Sequence, residues 1–196
     1  MSADLPHAPV GLAGAPAGAG LHQQIDPATP HLLLPLARAL VQVNRGMMLL
    51  GMLALLASAL ILTSSVVTRY FLHASTDWQD EASVFCLVGA TFLCSAFVQA
   101  IRGHIGIEAV ASVLPPAANR VRIALVDVGC LAFCTFFAWK SCTLLHEAWT
   151  EGQTTSSSWA PPLWIPYLLM ALGMILLVVQ LALQCVVSVN KLRKGA

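Results

Sequence analysis

The chain has 196 residues, of which 58% are hydrophobic and 10% charged. A soluble domain is about one quarter charged, so this composition excludes an ordinary soluble fold and fits a membrane protein. The net charge of +1, with no strongly basic domain and no aromatic-basic motif, gives no support for nucleic-acid binding.

The first 36 residues, "MSADLPHAPVGLAGAPAGAGLHQQIDPATP" and the "HLLLPL" that follows, begin with an Ala/Pro/Gly-rich stretch. Frequent helix breakers and little apolar content make 1–36 a disordered tail, and it lacks the basic and apolar regions of a signal peptide. An integral membrane domain over 37–194 follows. "HLLLPLARALVQVNR", apolar with two arginines, reads as a short helix lying along the membrane interface.

A helix rising about 1.5 Å per residue needs about 20 apolar residues to cross a hydrocarbon core of about 30 Å. Four stretches qualify, at about 47–67, 82–101, 123–145 and 163–189. The expected fold is therefore an all-α membrane protein of four transmembrane helices with short interfacial helices. Its orientation follows from the basic residues. Arg38, Arg45, Arg102, Arg120, Arg122, Lys191, Arg193 and Lys194 fall on one side, and only Arg69 on the other. The positive-inside rule then places both termini in the cytoplasm. Trp78, Trp149, Trp159 and Trp164 gather at the opposite, outer edge as an aromatic belt.

Between the second and third spans, "AIRGHIGIEAVASVLPPAANRVR" carries His104 and Glu108 four residues apart. Two ligands are too few for a closed metal site, and His73 and His146 lie across the bilayer. The pattern suits a surface helix that ends at Pro115-Pro116, polar side to water. The six cysteines all lie within apolar runs and form no CxxC pair, so they read as small hydrophobic residues, with neither disulfide nor zinc expected.

Charge inside the spans is confined to the third. Asp127 and Lys140 stand thirteen residues apart, about 20 Å along a helix, and cannot pair. Lys140, a turn and a half from the outer end of its span, is expected to snorkel outward. Asp127 reads as a buried polar anchor, with a proton or ion relay as the functional alternative. Gln99, Gln180, Gln184, Thr91 and Ser95 offer hydrogen bonds between helices, and Gly51, Gly89, Gly129 and Gly173 permit close approach. Four spans without internal repeats or a polar cluster at mid-depth suit an accessory subunit better than a self-sufficient transporter.

The order of certain strings adds to this. "RYFLHASTDWQDEAS" contains Arg69-Tyr70 and Trp78 with Asp80-Glu81. Gly89-Ala90, Arg102-Gly103-His104, Leu114-Pro115 and Leu163-Trp164-Ile165-Pro166 follow in turn. Over about residues 40–190 this succession resembles the small membrane subunit of tripartite ATP-independent periplasmic (TRAP) transporters. The tail departs from that pattern, as do Gly106 and Glu108, which stand where many members carry a basic or small residue and an aspartate.

The resemblance implies a bacterial inner-membrane complex with two other members, a large membrane subunit and a periplasmic solute-binding protein. Uptake of an organic acid would be driven by a sodium gradient, with substrate and sodium held by the large subunit. Arg69, Trp78, Asp80 and Glu81 would face the periplasm, where either acid pairs with Arg69 or meets the binding protein. Arg102 and His104 would fix the cytoplasmic loop or its partner contact. Glu108, Asp127 and Trp164 complete the candidate structural or contact residues. No catalytic residue, cofactor or metal is implied, and the chain is not expected to be an enzyme. Histidines facing each other inside the spans, as a dihaem cytochrome needs, are missing from the sequence, as is a convergent catalytic set. The alternative is a four-helix assembly or scaffold subunit of another membrane complex.

Overall fold

The computed structural model describes residues 33–73, 75–101 and 116–193. Four long helices make up nearly all of it. α1 runs Leu34–Val67 and continues through a π-helical turn, Thr68–Leu72. α2 is Asp77–Ala100, α3 is Pro116–Thr150 and α4 is Trp164–Arg193. Among the described residues, four stretches are long and apolar enough to cross a membrane: Leu34–Leu72, Asp77–Ala100, Leu125–Thr150 and Trp164–Asn190.

Local chemistry explains where the helices begin. Pro35, Pro116 and Pro166 each sit in a first turn, where the missing N–H has no intrahelical partner to lose. α2 instead opens with Asp77 and Asp80, whose negative charge suits the positive end of the helix dipole.

The helices outlast the apolar runs that announced them. The separate interfacial helix expected before the first span is, from Leu34 onward, the opening turns of α1. Nothing between Arg38 and Met47 breaks the backbone ladder; Gly46 weakens it by about 1 kcal/mol without ending it. Leu34 to Leu36, assigned to the tail, therefore belong to α1. Residues 1–32 lie outside the described residues, as do 102–115, which include the expected surface helix. Pro116 opens α3 where a helix end was expected at the Pro115-Pro116 pair.

The spatial order differs from the chain order. α1 packs on α2, α2 on α4, and α4 on α3, while α1 touches α4 along a narrow strip. This makes an open layer with α2 and α4 inside and α1 and α3 at its edges. The edge spans are only 11% buried each, against 33% and 39% for α2 and α4.

Each edge helix is held by one narrow seam. On α1 the seam includes Ala37, Asn44, Gly51, Ser58 and Ser65, all buried and spaced by seven. On α3 it includes Asp127, Cys134, Ser141 and Ala148 at the same interval, all buried but the partly covered Cys134. A seven-residue repeat keeps one stripe against a neighbour with left-handed crossing, and small residues there let the backbones approach. A Cβ on Gly51 would meet Cys94 Sγ, and one on Gly173 would meet the backbone carbonyl of Phe92. Gly89 lies against Leu169, but Gly129 has open space around it and does not serve close approach.

Hydrogen bonds between helices come from amide side chains and from buried serine hydroxyls. Asn44 Nδ2 on α1 donates to Gln180 Oε1 on α4 at 3.1 Å. Gln99 Nε2 on α2 donates to Gln184 Oε1 at 2.9 Å, and Gln184 Nε2 donates to the Gln99 carbonyl at 2.9 Å. Ser58 Oγ on α1 donates to the Ser83 carbonyl on α2 at 3.1 Å. Thr91 and Ser95, expected to reach across, donate instead to the Leu87 and Phe92 carbonyls of their own helix. Their short hydroxyls find a carbonyl three or four residues back before they meet a neighbour.

Candidate functional site

The site is built where α1 gives way to α2. The π-turn widens the last coil of α1, and His73 closes it in the left-handed region at φ 50°. Thr76 then heads α2, its carbonyl accepting from the Gln79 and Asp80 amides at 2.9 and 3.1 Å. Thr76-x-x-Gln79 has the pattern of a capping box. The Thr76 hydroxyl does not cap the helix, however. It accepts from Arg69, from Nη2 at 2.7 Å and from Nε at 3.3 Å.

Asp80 completes the clasp. Its Oδ2 accepts from Arg69 Nη2 at 2.9 Å and its Oδ1 from Ser65 Oγ at 3.1 Å. One carboxylate thus ties both the end of α1 and the π-turn to α2. The side chains remain 64% and 47% exposed. A pair so open to solvent contributes less than about 1 kcal/mol to stability, so its effect is to fix geometry. Arg69, His73, Ser75, Thr76 and Asp77 line an open depression beside it. Asp80→Asn is accordingly expected to shift the unfolding midpoint in detergent by no more than a few degrees. A shift of about 10 °C or more would show that the pair stabilises the fold outright.

Of the two neighbouring acids, it is Asp80 that holds Arg69. Glu81, about 100° further round α2, keeps Oε2 buried with no hydrogen-bond partner among the described residues.

The α3–α4 connection reaches the same end. It folds back on itself, with a bridge between Thr154 and Pro162 and a bond from the Leu163 amide to the Gln153 carbonyl at 2.9 Å. Trp159 at its tip meets Trp78 edge-to-face at 6.3 Å, and Ser158 Oγ donates to Asp77 Oδ2 at 3.4 Å. Trp164 meets Trp149 edge-to-face at 5.1 Å, clamping α4 to α3 where the loop closes. Edge-to-face rings with polar rims suit a membrane boundary.

Arg69, Trp78, Asp80, Glu81 and Trp164 therefore lie at one end of the layer, with Arg69 and Asp80 in direct contact. Asp127 lies near the other end. It is buried, and its Oδ2 accepts from Ser188 Oγ at 2.6 Å, which joins α3 to α4. Arg102, His104 and Glu108 fall outside the described residues. Sequence reasoning placed Trp159 at this edge, in the aromatic belt, but not its contact with Trp78, and it missed Thr76, Ser65 and Ser158 as partners here. The capping-box pattern marked Thr76, whereas nothing local marked the two serines.

Lys140 stands ten residues before the end of α3. α3 continues to Thr150, and the Asp127–Ser188 and Trp149–Trp164 contacts fix its register on α4. Lys140 lies about 14 Å along the axis from Trp149 and about 20 Å from Asp127. Its Nζ rests 5.3 Å from the centre of the Trp139 ring.

Comparison with known proteins fits this architecture. The family model for tripartite ATP-independent periplasmic transporters, DctQ component, matches residues 58–191, from the middle of α1 nearly to the end of α4. No curated protein and no solved structure gave a match. Four apolar helices and a family match over more than half the chain lead to one assignment: this protein belongs to the DctQ family, the small permease component of TRAP transporters, and is a transporter component rather than an enzyme.

Proposed function

We infer that the chain is the scaffold of a sodium-gradient-driven uptake system for an organic acid, holding a large membrane subunit that performs the transport. The observation that carries this reading is how interior polar groups are used. Asn44 with Gln180, Gln99 with Gln184, and Asp127 with Ser188 each join one helix to another. Polar groups committed to such joints hold the helices in place and do not line a path for a solute.

The distribution of basic residues supports a bacterial inner-membrane orientation with both termini cytoplasmic. In that orientation the Arg69–Asp80 clasp and the tryptophans face the periplasm. A solute-binding protein arriving there would meet a rigid, partly charged rim formed by two connections held together.

The test is uptake of a panel of labelled carboxylates into proteoliposomes containing all three proteins, with and without an inward sodium gradient. Sodium-dependent accumulation of at least one carboxylate is expected. Arg69→Ala and Glu81→Ala should lower that uptake several-fold while the chain still inserts in normal amounts. Uptake indifferent to sodium would contradict the coupling, and wild-type rates in both variants would contradict the role of this end.

A further inference from the structure

Lys140 poses a question that the four-helix layer does not answer. It is an exposed residue on an edge helix whose seam faces α4. Phe137, one turn away, stacks on Phe92 at 6.5 Å, and Phe92 in turn lies against Gly173, so Lys140 sits near the middle of the layer. A lysine side chain extends about 6 Å, well short of the roughly 14 Å that separates it from Trp149. Among the described residues its ammonium makes no ion pair, and it rests 5.3 Å from the centre of the Trp139 ring.

A cation at that depth is costly in lipid, and intramembrane lysines face protein, where a carboxylate or a backbone carbonyl receives them. The rest of the face agrees. Phe133 and Phe136 are 68% and 55% exposed, and Gly129 leaves open space beside them. The exposed flank of α1 is different, being aliphatic through Leu53, Leu56 and Leu60, which suits lipid.

We propose that the Phe133–Phe136–Lys140 face of α3 is the docking surface for the large membrane subunit, which supplies a carboxylate or free carbonyl oxygen to Lys140. The proposal rests on the chain being a small transporter subunit, and it names which face that subunit uses. Two other occupants fit less well. A second copy related by a two-fold axis along this face would bring two Lys140 ammonium groups together, a repulsive pairing. Lipid phosphates lie at the bilayer surface, not at mid-depth.

The test uses the full chain co-expressed with its large subunit. A photo-reactive residue at Phe136 is expected to cross-link to the large subunit, and one at Leu53 to lipid. Lys140→Met and Lys140→Glu should reduce the large subunit that co-purifies by about tenfold, the chain itself remaining at normal levels in the membrane. Lys140→Arg should retain it. The proposal is overturned if the wild-type complex co-purifies while Phe136 yields only lipid or chain–chain adducts, or if Lys140→Glu retains the large subunit in full. Failure of the wild-type chain to retain any large subunit would instead overturn the transporter reading itself, and the docking surface with it.

Discussion

Gly173→Ala is expected to destabilise the protein by about 1–3 kcal/mol, although alanine is the better helix former. The added Cβ would meet the carbonyl carbon and oxygen of Phe92, and backbone cannot rotate away as a side chain can. Relief requires α2 and α4 to part, which also strains the Gln99–Gln184 bonds further along the same interface. Gly129→Ala is the matched control, since nothing lies within 4 Å of the new methyl group. Thermal unfolding in detergent should show a lowered midpoint for Gly173→Ala and an unchanged or raised one for Gly129→Ala. Equal midpoints would mean that α2 and α4 do not approach at Gly173. Gly51→Ala should fall between them, because the atom it meets first, Cys94 Sγ, ends a side chain that can turn aside.

Substitutions in the Gln99–Gln184 pair should have unequal effects. Gln184 both accepts from Gln99 Nε2 and donates to the Gln99 carbonyl. Gln184→Leu removes both bonds and leaves a donor and a carbonyl unsatisfied in an apolar interface. The expected cost is about 1–2 kcal/mol. Gln99→Leu keeps the bond to its own backbone carbonyl and should cost less. The double substitution should cost no more than Gln184→Leu alone, since the groups left orphaned by the single change are then gone or already counted. A double-mutant cycle with strictly additive effects would show that the two side chains do not interact.

Much of the fold was legible because lipid imposes a demand that sequence must meet openly. Four runs of about 20 apolar residues gave four helices. The ends were harder to read. Hydrogen-bonded turns continue through polar residues at a helix end, so α3 outlasts its apolar run by five residues. The order α1–α2–α4–α3 was not read from the sequence, although its trace is there. Asn44, Gly51, Ser58 and Ser65 repeat by seven, a pattern visible once a seam is sought.

Where a polar residue faces decided whether it joins helices. Asn44, Gln99 and Gln184 reach a neighbouring helix, as do the buried hydroxyls of Ser58 and Ser188, whereas those of the exposed Thr91 and the half-buried Ser95 close on their own helix. At the candidate site, Arg69, Asp80 and Trp78 stood out as charges and rings at a membrane edge. Helical phase then selected Asp80 over Glu81 as the partner of Arg69. The contribution of Ser158 and Trp159 depends on how α3 and α4 bring their loop over α2, a long-range arrangement that no local pattern encodes.

The most direct test of the scaffold account is solute accumulation by the purified chain alone in liposomes, set beside the same chain reconstituted with its large subunit and binding protein, under one imposed sodium gradient. The account predicts accumulation only in the complete system. Accumulation by this chain by itself would contradict it.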